Sequence, residues 1–322
     1  MPDLVTIGEI RSAAGRIDGV TLRTPLVPYP GADPRLLLKP ESLQPTGSFK
    51  LRGAYAAISA VPASTRSRGV IAHSSGNHGL AVAYAAAALG VPATVVVPST
   101  APAVKVAAAQ AQGAQIVRCE PGIAAREAAT RELASRHGYT LIPPFDDPLV
   151  IAGQGTIGLE IAADCPEADL VVCPVSGGGL ISGIAAAVTA LLPAAKVVGV
   201  EPELAADAQD SLRQGRRVAW AASDTERTIA DALRVNQVGE LPLRHLMSQV
   251  HAIVTVTDEQ IRAAMRALAT TARLVAEPGG AAAVAACLFR ADELPAARTT
   301  VAVLSGGNVD PALLATVLST GE

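Results

Sequence analysis

A short β-branched run, a turn and an Ala-rich stretch of helical length follow one another along most of this chain. That alternation constrains the fold more than any single motif. Val70-Ile71-Ala72 leads through Ser74-Ser75-Gly76-Asn77-His78-Gly79 into a predicted helix ending near Leu89. Val95-Val96-Val97 precedes a helix from about Ala103 to Gln112, and Ile116-Val117-Arg118 precedes one from about Ala124 to His137. Leu170-Val171-Val172 runs into Ser176-Gly177-Gly178-Gly179 and a helix to about Leu192, while Val197 to Val200 and Thr300 to Leu304 complete the set. Strands that read as unbroken apolar runs between helices indicate parallel sheets covered on both faces, a three-layer α/β/α architecture. By residue pattern alone two such series are sequential, at 65–147 and 148–322, joined at Pro143-Pro144-Phe145-Asp146-Asp147-Pro148, which reads as a hinge or crossover.

Composition supplies exclusions. At 322 residues the chain suits two lobes, and with 50% hydrophobic and 17% charged residues it is not disordered. A balance of 26 basic against 29 acidic residues excludes the broad basic face that holds nucleic acid. Leu80 to Val97 is uncharged, but Gly90-Val91-Pro92 divides it, and neither piece reaches the ~20 residues of a membrane span. The amino terminus has no basic stretch leading into an apolar one, and Cys119, Cys165, Cys173 and Cys287 form no CxxC or Cys/His cluster. A cytoplasmic protein with reduced cysteines is expected.

Only four lysines are present: Lys39, Lys50, Lys105 and Lys196. Lys50 follows the turn sequence Pro45-Thr46-Gly47 and begins a helical stretch, so the helix terminus and burial would both lower its amine pKa, as a Schiff base requires. Taken alone, it also reads as a surface lysine beside Arg52. Ser176-Gly177-Gly178-Gly179-Leu180, between a strand and a helix, offers backbone N–H groups to a phosphate. It carries neither a GxGxxG pattern nor a following lysine, which argues against dinucleotides and nucleoside triphosphates. Ser74 to Gly79 has the same placement and suits a carboxylate or a phenolate, or simply caps a helix. Ser305-Gly306-Gly307-Asn308 ends the last strand, at the edge where α/β sheets bind ligands. Glu201 and Asp207 offer oxygen to a hard cation, a weak signal by spacing alone.

In order along the chain, Lys39-Pro40-Glu41, Thr46-Gly47-Ser48-Phe49-Lys50, Ser74 to Gly79, Ile151-Ala152-Gly153-Gln154-Gly155-Thr156, Ser176 to Gly179, Glu277-Pro278-Gly279-Gly280 and Ser305 to Asp310 form one set. The set resembles the serine/threonine dehydratase and serine racemase family, fold type II pyridoxal-phosphate enzymes related to the tryptophan synthase β subunit. The resemblance implies a large lobe from residues 1–64 and 148–322 with a small lobe, 65–147, inserted. It implies pyridoxal 5'-phosphate on Lys50, with Phe49 beside it, the phosphate on Ser176, Gly177, Gly178, Gly179 and Leu180, Asn77 on the ring hydroxyl, Glu277 nearby and Ser305 facing the pyridine nitrogen. Phe145 would pack near the ring. Ser74, Ser75, Asn77 and His78 would bind substrate, with Lys50 and Ser75 catalytic on opposite faces. Glu201, the Ala205 carbonyl and Asp207 fall where metal-binding members hold Mg2+, Ca2+ or Mn2+. Pro143 stands where a His is common, and Ser75 where many threonine deaminases have Ala.

The expected reaction is loss of water and ammonia from a β-hydroxy amino acid, L-threonine or L-serine, giving a 2-oxo acid. Serine racemase is the alternative, and 3-hydroxyaspartate dehydratase a further one, with Arg126 pairing the side-chain carboxylate. A homodimer is expected from the same resemblance. The short stretch after Asp310 is expected to hold no regulatory domain.

Overall fold

The computed structural model describes residues 3–32, 35–74, 76–101 and 103–319, the side chains of Val104, Lys105 and Ile123 excepted. Its larger sheet contains β1 (Val27–Pro28), β2 (Arg35–Pro40), β7 (Leu170–Pro174), β8 (Lys196–Pro202), β9 (Ala252–Val256) and β10 (Thr299–Leu304), in the order β1-β2-β10-β7-β8-β9. The smaller sheet contains β3 (Val70–His73), β4 (Ala93–Pro98), β5 (Gln115–Cys119) and β6 (Thr140–Leu141), in the order β5-β4-β3-β6. Every pairing is parallel except β1 with β2. Because β2 pairs with β10, the larger sheet draws on both ends of the chain, and the sequential arrangement suggested by residue pattern does not hold. Glu201, expected after a strand, lies inside β8.

The parallel strands alternate their contacts as a two-faced sheet must. Leu36, Leu38, Val172, Val198, Ala302 and Leu304 share one buried cluster, while Leu37, Val171, Cys173, Val197, Val301 and Val303 share another. With few aromatics available, the helices approach closely instead. A Cβ on Gly183 would collide with the Ile151 carbonyl, and one on Gly153 would lie 2.6 Å from the Arg52 carbonyl. The Ala152-Gly153-Gln154-Gly155 motif is thus a packing device, letting the helix Pro148–Asp164 lie against the helices Lys50–Ala60 and Gly179–Leu191. That helix starts where the expected hinge ends. Asp147 caps it by accepting from the N–H groups of Leu149 and Val150, and Pro148 occupies its first turn.

Candidate active site

Lys50 is the first residue of its helix, immediately after the turn Gly47–Phe49, and that turn is stapled to the end of β10. The Phe49 N–H donates to the Ser305 carbonyl at 3.1 Å, and the Gly307 N–H donates to the Gly47 carbonyl at 2.8 Å. Gly47 is fixed by a positive φ of 71° and by Asn308, whose side chain occupies the space a Cβ would need. The Lys50 Nζ donates to the Pro144 carbonyl at 2.7 Å. Burial lowers this amine to about 8, against an opposing pull from Glu277. A substantial neutral fraction is therefore present near neutral pH, which an exposed lysine lacks. The reading of Lys50 as a surface lysine beside Arg52 is overturned, since Lys50 is half-buried with its amine bonded to a carbonyl and Arg52 is fully buried.

From Lys50 the contacts run to the glycine loop. Phe145, next to Pro144, lies over it: a Cβ on Gly177 would strike the Phe145 ring, and one on Gly179 would sit 2.8 Å from its carbonyl. Gly178 has φ 89° and caps the helix Gly179–Leu191, whose first N–H groups face the loop without helical partners. Leu180 packs its side chain into the core, leaving only its backbone for a ligand. Ser176 is half-buried at the mouth of the loop.

On the opposite side Asn77, first in the helix Asn77–Ala88, donates from Nδ2 to Glu277 at 2.6 Å and accepts at Oδ1 from Asn308 Nδ2 at 2.8 Å. Asn308 also donates to the Thr46 carbonyl at 2.8 Å, so one amide ties the Lys50 turn to Asn77. The motif that contains Asn308 is visible in the sequence, but nothing in the residue pattern gives this side chain a role. His78 bonds through Nε2 to the Ile142 carbonyl at 2.8 Å. Burial and the Lys50 charge hold its imidazole down to about 3, so it is neutral and serves no proton transfer near pH 7. Ser74 accepts from the Gly76 N–H at 3.1 Å. Ser75 lies outside the described residues.

Two expected groups stand apart. Glu201 and Asp207 are buried together. Glu201 accepts from the N–H groups of Ala208 and Gln209 at 3.2 and 2.8 Å, while neither Asp207 oxygen has a hydrogen-bond partner among the described residues. Burial and the Asp207 charge push Glu201 well above the carboxylate range, and burial lifts Asp207 to about 7. The Ala205 residue between them is also buried. Among the described residues no three His, Cys, Asp or Glu side chains converge as a metal cluster. Arg126 lines a cavity of about 690 Å³ with Thr100, Glu226 and Asn236, and its Nε is buried without a hydrogen-bond partner among the described residues. Lys50 is not among that cavity's walls.

A helix-start lysine, a glycine loop that no side chain enters and a helix-start asparagine are residues that could hold an aldehyde-bearing phosphate group. The sequence profile described as pyridoxal-phosphate dependent enzyme matches residues 17–306, and the chain belongs to that family. It is 40% identical to the L-threo-3-hydroxyaspartate ammonia-lyase of Saccharomyces cerevisiae, across 98% of this chain and 97% of that one. The threonine deaminase of T.th. superposes with a TM-score of 0.89 at 45% identity, covering 95% of this chain and 99% of that one. Maize serine racemase superposes with a TM-score of 0.93 at 35% identity, covering 98% and 97%. These relatives are ammonia-lyases and racemases, as the ordered motif set implied.

Proposed function

We propose that this chain is a dehydratase that removes water and ammonia from L-threonine or L-serine. The observation that carries the reading is the buried, depressed amine of Lys50, one contact away from the glycine cradle. The residues fit pyridoxal phosphate: a neutral-prone amine for its aldehyde, a helix mouth where no side chain fits for its phosphate, and an oriented amide for its ring. When bound, that group supplies the electron sink that makes a substrate Cα proton acidic.

The protein's own part is positioning and proton handling. Lys50 would be the base for the Cα proton, and its lowered pKa suits it to accept one near neutral pH. Asn77 has one Nδ2 hydrogen pledged to Glu277 and the other available to the ring hydroxyl. Ser305, whose carbonyl accepts from the Phe49 N–H, would offer a hydroxyl rather than a charge to the pyridine nitrogen. Ser74 and the backbone N–H groups at the start of the helix Asn77–Ala88 take the substrate carboxylate. Phe145 and the glycine loop exclude water from one face.

The reading includes a large lobe of residues 1–64 and 148–322 with residues 65–147 as an inserted lobe. It also includes a homodimer, a cytoplasmic location and a divalent cation between Glu201, Asp207 and the Ala205 carbonyl. The orphaned Asp207 oxygens support the cation. No described helix is long and apolar enough to cross a membrane. A second reading, 3-hydroxyaspartate dehydratase, is supported by the 40% identity to the yeast L-threo-3-hydroxyaspartate ammonia-lyase.

The test is a product assay over L-threonine, both serine enantiomers and the hydroxyaspartate diastereomers. The dehydratase reading expects 2-oxo acid from L-threonine and L-serine in excess of D-serine. D-serine equal to or exceeding pyruvate at early times makes the chain a racemase first, and turnover confined to hydroxyaspartate makes the second reading correct.

A further inference from the structure

We infer that the buried ionic cluster behind Lys50, made of Lys39, Glu41, Arg52 and Glu160, is a positioning device for the Lys50 amine. The inference rests on Lys50 being the cofactor lysine. Lys50 and Arg52 share the first turn of one helix, and at 3.6 residues per turn their side chains leave it about 200° apart. Lys50 faces the cleft and Arg52 faces the interior.

The guanidinium is gripped twice. Its Nε and Nη2 donate to the two oxygens of Glu41 at 2.7 and 2.8 Å. Its Nη1 and Nη2 donate to the two oxygens of Glu160 at 2.6 and 2.9 Å. Nη1 also donates to Thr156 Oγ1 at 3.1 Å, and the Leu22 carbonyl, 3.0 Å from Nη2, shares that nitrogen's two hydrogens with the carboxylates. Lys39 closes the cluster by donating to Glu160 at 2.5 Å and to the Thr24 carbonyl at 2.6 Å. Two cations and two carboxylates leave no net charge, so the cluster adds no net monopole at Lys50. What it imposes is geometry.

The partners come from three places. Glu41 follows β2, Glu160 lies on the helix Pro148–Asp164, and Leu22 and Thr24 belong to the segment before β1. The helix of Glu160 packs on the one that begins at the glycine loop. Arg52 thereby references the Lys50 helix to the element that carries the cradle. A planar fork held on both edges permits little rotation of that helix, whereas a lysine's point charge would permit it. Fold stability alone does not call for this arrangement, because well-packed apolar residues commonly serve a buried site as well as ions do.

The test compares holoenzymes of the parent, Arg52→Lys, Glu160→Gln and the core control Ile161→Ala. A visible absorption band in the parent that borohydride abolishes, with the reduced adduct mapped to the Lys50 peptide, establishes the cofactor-lysine reading, and its absence or an adduct on another lysine overturns that reading and this inference together. With the band present, Arg52→Lys and Glu160→Gln are expected to keep cofactor and cooperative melting. Their kcat should fall about tenfold or more while KM stays within about threefold, since small displacements of a reacting group cost far more rate than binding. The acid limb of their pH profile should move to higher pH, because a loosened helix lets water reach the amine. Ile161→Ala should melt earlier and keep the parent kcat and limb. The inference is overturned if both cluster variants retain parent kcat. It is equally overturned if kcat follows melting temperature alike in all variants, or if neither cluster variant folds.

Discussion

Two of the buried groups of charges in this molecule are built on opposite plans. Around Arg52 every charge has a counter-charge, and the guanidinium is saturated by two carboxylates, a hydroxyl and a carbonyl. Between Glu201 and Asp207 two acids face each other, and both Asp207 oxygens are orphaned. Burial raises the cost of an unpaired charge and strengthens a paired one. The contrast separates a finished group from one whose acids are held toward protonation. A neutral, saturated cluster fixes structure, whereas a net negative, unsaturated one calls for protons or a cation.

Breaking the finished cluster should do the most damage. Arg52→Met leaves Glu41 and Glu160 buried with only Lys39 to offset them, and should cost about 3–5 kcal/mol in denaturant melts. An exposed pair such as Arg136 with Glu132 is the contrast. Arg136→Ala should change stability by no more than about 0.5 kcal/mol.

Next in size is the acid pair, where pH gives the sign. Both carboxyls have folded pKa values raised above their unfolded ones, so the pair costs little while protonated. The cation-free protein should lose stability as pH rises from about 4 towards 7, the interval between the ordinary Asp value of 3.8 and the raised Asp207 value of about 7. Mg2+ at a hundredfold excess over its dissociation constant should return about 2.7 kcal/mol at pH 7.5 and little at pH 5. Asp207→Asn should raise the cation-free melting temperature at pH 7.5 and erase the Mg2+ response. A melt indifferent to both pH and Mg2+ would make the pair inert.

A smaller effect, confined to specificity, concerns Arg126. If a substrate carboxylate completes its guanidinium, Arg126→Ala should lower kcat/KM for hydroxyaspartate by about 2 kcal/mol or more, roughly thirtyfold. L-threonine turnover should hold within about threefold. Equal losses on both substrates would make Arg126 a wall of the cavity only.

What can be read from the sequence, and what cannot, follows from range. β3, β4, β5, β7, β8 and β10 are legible because each is a local apolar run, and the placement of Lys50 and of the glycine loop because turn chemistry is local too, whereas β1, β2, β6 and β9 do not stand out, β1 and β6 being only two residues long. The helix Ile7–Ile17 does not stand out although Thr6 and Glu9 form a capping box, since its polar face dilutes the apolar signal. The Arg52 cluster is not legible at all. Arg52 and Glu160 lie 108 positions apart, and only packing reveals that both are inside. The placement of β2 beside β10 is likewise a long-range fact, where residue pattern suggests two consecutive lobes. Asp207 illustrates the intermediate case: its position hints at a cation, but its missing partners appear only in three dimensions.

That Lys50 holds the cofactor underlies every reading of the site, and reductive trapping puts it to the proof. Holoenzyme treated with borohydride, digested and mapped by mass spectrometry should carry the reduced pyridoxyl group on the peptide containing Lys50, with loss of the visible band and of turnover. The same adduct on Lys39, Lys105 or Lys196, with Lys50 unmodified, would contradict it.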